Sequence, residues 1–82
     1  MTELRRAGFE EFVTVAWPAD GMLDEHAHPF ESRALILSGE ITLVVDGRAT
    51  LYGEGQVFHL PRGTLHSERY GPSGVRYLVG RR

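Results

Sequence analysis

Three imidazoles are the groups in this chain best suited to chemistry. His26 and His28 are separated by one residue, and His66 lies 38 positions beyond His28. Side chains of a β-strand alternate between its two faces, so a His-x-His pair presents both rings on one side. A third imidazole arriving on that side from a distant strand completes a facial set of nitrogen donors for a metal ion. Such a set leaves coordination positions open for water, substrate or dioxygen. Each histidine alone reads as a polar residue near a turn. The paired spacing, with the run Gly55-Gln56-Val57-Phe58-His59-Leu60-Pro61-Arg62-Gly63-Thr64-Leu65-His66 leading to the third, argues for a site.

The elements that must bring these rings together read as strands and turns. Phe9–Trp17 is rich in β-branched and aromatic residues and ends at Pro18-Ala19-Asp20-Gly21. Met22–His28 is a second strand, closed by Pro29, and Arg33–Leu37 a third, closed by Ser38-Gly39. Glu40–Val45 alternates, with Ile41, Leu43 and Val45 on one face, and Asp46-Gly47 after it is a two-residue hairpin signal. Arg48–Tyr52, Val57–Leu60, Thr64–Tyr70 and Val75–Val79 complete the pattern, separated by Gly53-Glu54-Gly55, Pro61-Arg62-Gly63 and Gly71-Pro72-Ser73-Gly74. About eight short strands at this spacing predict an all-β sandwich or barrel. A weak helical period survives only at Thr2–Gly8, and residues 1–8 are expected to form a disordered or interface arm on a single domain spanning 1–82.

Composition narrows the chemistry. Eighty-two residues with 41% hydrophobic content make one small globular domain, short enough that a metal or a second subunit would help to stabilise it. There is no cysteine, which removes disulfides, thiolate metal sites and thiol nucleophiles, so any metal is held by nitrogen and oxygen. All nine basic residues are arginine, which excludes a Schiff-base lysine, and the net charge of −2 favours no nucleic acid. No apolar run is long enough to span a bilayer, and no signal-peptide core follows Met1–Arg6, so the expected location is cytoplasmic, away from membranes. The terminal pair Arg81-Arg82 reads as a solvated end.

With these residues in view, the chain resembles the cupins. Gly55, five residues, Pro61, one residue, Gly63, two residues and His66 match the second cupin motif at every spacing. Gly21, His26, His28, Glu31 and Gly39 follow the first motif more loosely, and the resemblance extends to Val79. It implies a small double-stranded β-helix, or jelly-roll, barrel. It also implies one divalent metal ion (Fe, Zn, Ni, Mn or Cu) held by His26, His28, His66 and a glutamate. Six residues counted back from Gly39 place that glutamate position at Ser32 rather than Glu31. A one-residue shift turns a side chain to the other face. Either a bulge near Pro29-Phe30 returns Glu31 to the metal, or three histidines hold it alone. The first glycine is also one residue closer to His26 than the motif has it, and Tyr70 stands where the second motif often has asparagine.

Alternation assigns further roles. His66, Glu68 and Tyr70 share the inward face, so Glu68 is a candidate ligand, general base or partner of a ligand imidazole, its alternative being a wet strand end. His59 has the parity opposite to Phe58 and Leu60 and is expected outside, in a surface or interface role. Ala34 and Ile36 are expected inside, leaving room for a compact ligand, with Phe30, Phe58 and Tyr70 as apolar walls and Arg33 or Arg62 as candidate carboxylate binders against a solvated alternative. Two functions follow: a metalloenzyme of dioxygenase or related type acting on a small organic molecule, or a non-catalytic metal- or ligand-binding sensor module. A sensor is expected to carry an effector segment for which this chain has no room, which favours the enzyme. A homodimer is expected through Leu35, Leu37 and Val44, outward by parity, with Phe9–Trp17 pairing across the interface or folding back within its own chain.

Overall fold

A computed structural model describes residues 11–82. The arm expected at residues 1–8 lies outside the described residues. Six strands run in order: β1 (Glu11–Trp17), β2 (Met22–His26), β3 (Ser32–Val45), β4 (Arg48–Gly53), β5 (Val57–Leu60) and β6 (His66–Arg81). No helix among the described residues is long and apolar enough to cross a membrane.

The eight expected short strands are present as six because two pairs are continuous. Arg33–Leu37 and Glu40–Val45 are the two halves of β3, and the segments on either side of Gly71-Pro72-Ser73-Gly74 are the two halves of β6. These long strands pair antiparallel from Ser32↔Arg81 to Val44↔Ser67, with irregular register between Ile36 and Ser38 and between Gly39 and Ile41. Each half has different outer neighbours. The first half of β3 and the second half of β6 are flanked by β5 and β1. The second half of β3 and the first half of β6 are flanked by β4 and β2. One bent sheet therefore forms two four-stranded layers, the jelly-roll arrangement. The layers share one core: Ala34, Ile36, Phe58, Leu60, Val75, Tyr77 and Val79 from one, Ile41, Leu43 and Tyr70 from the other. Each such aliphatic side chain contributes roughly 1.5–3 kcal/mol on burial.

The bend needs two glycines. Gly39 has φ 76° and Gly74 has φ 74°, both left-handed. A Cβ on Gly39 would stand 2.1 Å from the Gly74 carbonyl oxygen, so the backbones touch where the long strands turn from one layer to the other. The β3–β4 hairpin uses a different device. Asp46 (φ 51°) and Gly47 (φ 75°) are both left-handed, as a type I′ turn requires.

The expected dimer surface is altered by the same bend. Leu35 and Leu37 lie on the outside of one layer, but Val44 lies past Gly39 in the other, so the three do not form one patch. Leu35 instead lies beside Leu78 and Val57 across three strands. The strand expected to pair across an interface pairs with β6 of its own chain, from Glu11↔Arg81 to Trp17↔Val75.

Gly39→Ala is expected to cost about 3 kcal/mol or more, combining left-handed strain with a backbone clash. Gly47→Ala has the same strain but nothing within 4 Å of the added Cβ, and is expected to cost only about 1 kcal/mol. Urea denaturation midpoints measure both; equal losses would mean that the Gly39–Gly74 contact does not constrain the fold.

Candidate metal centre

Local geometry explains how each histidine reaches the interior. β2 pairs with β6 through Leu23↔Glu68 and His26↔His66, with two residues (Asp24, Glu25) between the pairs on one strand against one (Ser67) on the other. That bulge places Leu23 and His26 on the same inner side. β2 ends at His26, so His28 enters from the following loop rather than from a strand face. The loop is anchored: the Gly63 N–H donates to the His28 carbonyl at 2.9 Å. Gly63 belongs to a turn closed by the Thr64 N–H on the Pro61 carbonyl, with left-handed φ of 77° at its third position, the pattern of a type II turn. The Thr64 hydroxyl donates to the same carbonyl at 2.8 Å. The Pro-x-Gly-x-x-His spacing thus has a physical role: it fixes the turn that holds the His28 loop and starts β6 at His66.

The three rings meet. Ring centroids are 4.3 Å apart for His26 and His66, 5.0 Å for His26 and His28, and 5.5 Å for His28 and His66. One nitrogen from each lies within 4.8 Å of the others. His66 is among the most completely buried side chains described, at 1% exposure. Burial is the first cause holding the His28 pKa below its ordinary value, and the neighbouring His26 and His66 act the same way. Its neutral, metal-ligating form is favoured.

Hydrogen bonds set the direction of two lone pairs. His26 Nδ1 lies 2.7 Å from the Asp24 carbonyl and His66 Nδ1 lies 2.9 Å from the Thr64 carbonyl. A carbonyl only accepts, so both Nδ1 atoms carry hydrogen and donate. In a neutral ring Nε2 is then an acceptor. Yet Glu68 Oε2 stands 3.3 Å from His26 Nε2 and 3.2 Å from His66 Nε2. An ionised carboxylate only accepts too, so acceptors converge on a point that a proton or a cation must occupy. The donor set therefore fits a metal ion. It has three clustered imidazoles, two of them oriented by carbonyls behind them, an adjacent carboxyl group, and no cysteine in the chain.

Glu68 faces inward as alternation predicts, at 6% exposure. Its other oxygen accepts from the Tyr70 hydroxyl at 3.1 Å. Burial and the Glu68 charge push the Tyr70 pKa upward, so the phenol stays a donor. Tyr70 stacks on Trp17, with centroids 5.4 Å apart and planes within 3°, and the Trp17 indole donates to the Tyr77 hydroxyl at 3.0 Å. Tyr77 is raised to about 12, mainly by burial. Tyr70 thus supports Glu68 from behind.

Glu31 is not brought to the histidines. Its carboxylate pairs with His59 and Arg82. Those hydrogen bonds, His59 first, hold its pKa below the usual carboxylate range. Backbone bonds in both directions between Glu31 and Arg82 fix it there. The register count from Gly39 explains this placement: Ser32 is the inward, buried residue and Glu31 its outward neighbour. No bulge reverses them. His59 is exposed, as expected, and gains Glu31 as its partner.

The histidines open into a cavity of about 570 Å³ between the layers. Phe30 and Phe58 line it, with Leu23, Leu60, Val79 and Arg81. Neither Arg33 nor Arg62 lines it; Arg81, read from sequence as a solvated end, does. The signal for Arg81 was available in the alternation Val75, Tyr77, Val79, Arg81, but the Arg81-Arg82 doublet obscured it. A second concavity of about 420 Å³, bordered by β4 and His59, contains none of the three clustered rings.

The cupin domain family matches residues 13–78 of this sequence. No curated protein matches it. A protein of unknown function from Rhizobium leguminosarum superposes with a TM-score of 0.80 at 16% identity, covering 85% of this chain and 66% of that one. At that identity the likeness is one of fold. The DMSP lyase DddQ from Ruegeria pomeroyi gives a TM-score of 0.78 at 29% identity, over 87% of this chain and 36% of the lyase. The polyketide cyclase RemF from Streptomyces resistomycificus gives 0.71 at 29% identity, over 94% of this chain and 58% of the cyclase. This chain is shorter than all three.

Tyr70→Phe leaves Glu68 Oε1 buried without its donor and is expected to lower stability by about 1–3 kcal/mol. Thermal or urea denaturation reads the loss. A change below about 0.5 kcal/mol, the range of ordinary surface substitutions, would mean that water already satisfies Glu68.

Proposed function

This chain belongs to the cupin domain family, and from that premise we propose that it is a metal-dependent enzyme acting on a small organic molecule. His26, His28 and His66 hold one divalent ion, with Fe, Zn, Ni, Mn and Cu all suited to imidazole donors. The convergence of two Nε2 lone pairs and the Glu68 carboxylate on one point carries this reading. A divalent ion bound there supplies Lewis acidity toward a substrate oxygen, and iron in such a set also supports dioxygen chemistry.

Glu68 is the proton-handling residue. Its carboxylate is buried, its Oε1 accepts from Tyr70, and its Oε2 faces the imidazoles. That placement lets it take a proton from a substrate held in the cavity, with Tyr70 steadying the negative form. The apolar walls, Phe30, Phe58, Leu60 and Val79, exclude water from a compact organic body. The two relatives at 29% identity bear the names of a lyase and a cyclase, which supports proton transfer over dioxygenase chemistry here. Oxygen uptake with thiols, diketones or phenolics would reverse that order. One metal per chain without turnover of any such class would favour the sensor reading. A homodimer is also proposed, now through the row Leu35, Leu78 and Val57, and light scattering of Leu35→Glu against the unaltered protein tests it.

Protein purified without an affinity tag is expected to contain one metal ion per chain by elemental analysis. His28→Ala and His66→Ala are each expected to abolish it; unchanged content in both would end the metal reading. Free metal at about 100 times Kd adds about 2.7 kcal/mol of stability, roughly 10–20 °C in Tm for a domain this small.

Glu68→Gln is expected to weaken metal affinity by roughly 10- to 100-fold. Glu54→Gln, in an exposed turn, is expected to leave it unchanged. Equal effects would remove Glu68 from the site.

A further inference from the structure

Arg81 stands in the same cavity as the three histidines and Glu68. Its Nε is buried with no hydrogen-bond partner. No ion pair to it is found among the described residues. Its guanidinium carbon lies 5.0 Å from the centre of the Phe30 ring. Phe30 in turn stacks on His28, with ring centroids 5.0 Å apart and planes within 14°. The guanidinium is therefore one aromatic ring removed from the histidine cluster, placed over Phe30, with its Nε donor unused.

An unpaired buried N–H costs stability, and a guanidinium left facing a cavity is best satisfied by a planar anion with two oxygens. We infer that Arg81 binds the carboxylate of a small organic acid whose remaining polar end faces His26, His28 and His66. This rests on the reading of the cavity as a substrate site and names the substrate class. The charges permit it. Asp24 and Glu25 also border the cavity but are exposed and screened by water. Glu68 is the buried acid, and it is held by Tyr70 and faces the imidazoles. The apolar residues between the two ends accommodate a hydrocarbon or aromatic body. Tyr77, Val79 and Arg81 alternate inward along β6, so Arg81 is placed by the register of the strand, not by a free tail.

The test uses zinc-loaded protein, with metal content measured in parallel, and benzoate, benzamide and inorganic phosphate as probes in calorimetric titrations at constant ionic strength. Benzoate is expected to bind in the millimolar range or tighter, and benzamide and phosphate at least about tenfold more weakly. Arg81→Gln is expected to weaken benzoate by at least about tenfold, with unchanged metal content. Arg81→Lys, which keeps the charge but not the planar fork, should fall between. Arg76→Gln removes the same charge from an exposed position on the same strand and should bind as the unaltered protein does. If Arg81→Gln melts early, Arg81→Lys alone carries the comparison. Equal benzoate affinity in Arg81→Gln and Arg76→Gln overturns the inference, as does absence of benzoate binding to the unaltered protein or a preference for phosphate. Arg81-dependent benzoate binding in a protein that takes up no metal upholds Arg81 and overturns the metal reading alone. One metal per chain with benzoate binding indifferent to Arg81 does the reverse.

Discussion

The pairing of β3 with β6 is the constraint on which the rest depends. Both strands are too long for one small layer, and the pairing survives only because the ribbon turns a corner where Gly39 and Gly74 touch. That corner gives each strand two inner surfaces. His66 and Glu68 lie on β6 before it, and Tyr77, Val79 and Arg81 lie after it. Because the layers pack on one core, residues distant along a single strand come to line one cavity. β1, β2, β4 and β5 add edges to this ribbon. They need only be short, and local turns suffice to connect them.

The polar interior is the second consequence. A barrel of this size has little apolar area to offset misplaced charge, so a buried carboxylate beside two lone pairs must have a reason. Three hydrogen bonds orient these groups: to the Asp24 and Thr64 carbonyls behind His26 and His66, and from the Tyr70 hydroxyl behind Glu68. With both Nδ1 atoms donating, the Nε2 atoms and Glu68 Oε2 call for a proton or a cation between them. On the proposed reading, metal binding and folding are coupled in this domain through the same few hydrogen bonds.

Most of this was legible from alternation. The inward set Ser32, Ala34, Ile36, then Ile41 and Leu43, and the inward Glu68 and Tyr70 follow a period of two counted on each side of the glycine corner. The Asp46-Gly47 turn follows from the two left-handed residues that a short hairpin needs. What alternation missed came from places where it is interrupted. β2 bulges before His26 and stops there, so His28 joins the cluster through a loop held by Gly63, not through a shared strand face. β3 runs through Ser38-Gly39, where turn-forming residues bend a strand instead of ending it, and this separates Val44 from Leu35 and Leu37. Glu31 lies outside the site, as the count from Gly39 indicates, but its pairing with Arg82, 51 positions away, cannot be read from its neighbours.

Arg81 shows how a terminal position can mislead. Lying next to the final residue, it resembles solvated chain. Yet its backbone is held on both sides, by β1 through Glu11 and by β3 through Ser32, and a strand clamped twice has no freedom to turn its side chain outward. The neighbouring Arg82 takes the outward place and pairs with Glu31, which the Ser32 register had already turned out. The same one-residue offset that removes Glu31 from the histidines thus supplies Arg82 with its partner. The carboxylate that remains inside belongs to Glu68, on the strand that carries His66. Moving the acid from the loop after β2 onto β6 leaves the rim near Phe30 free of a carboxylate from that loop, and Arg81 stands over that ring with donors to spare.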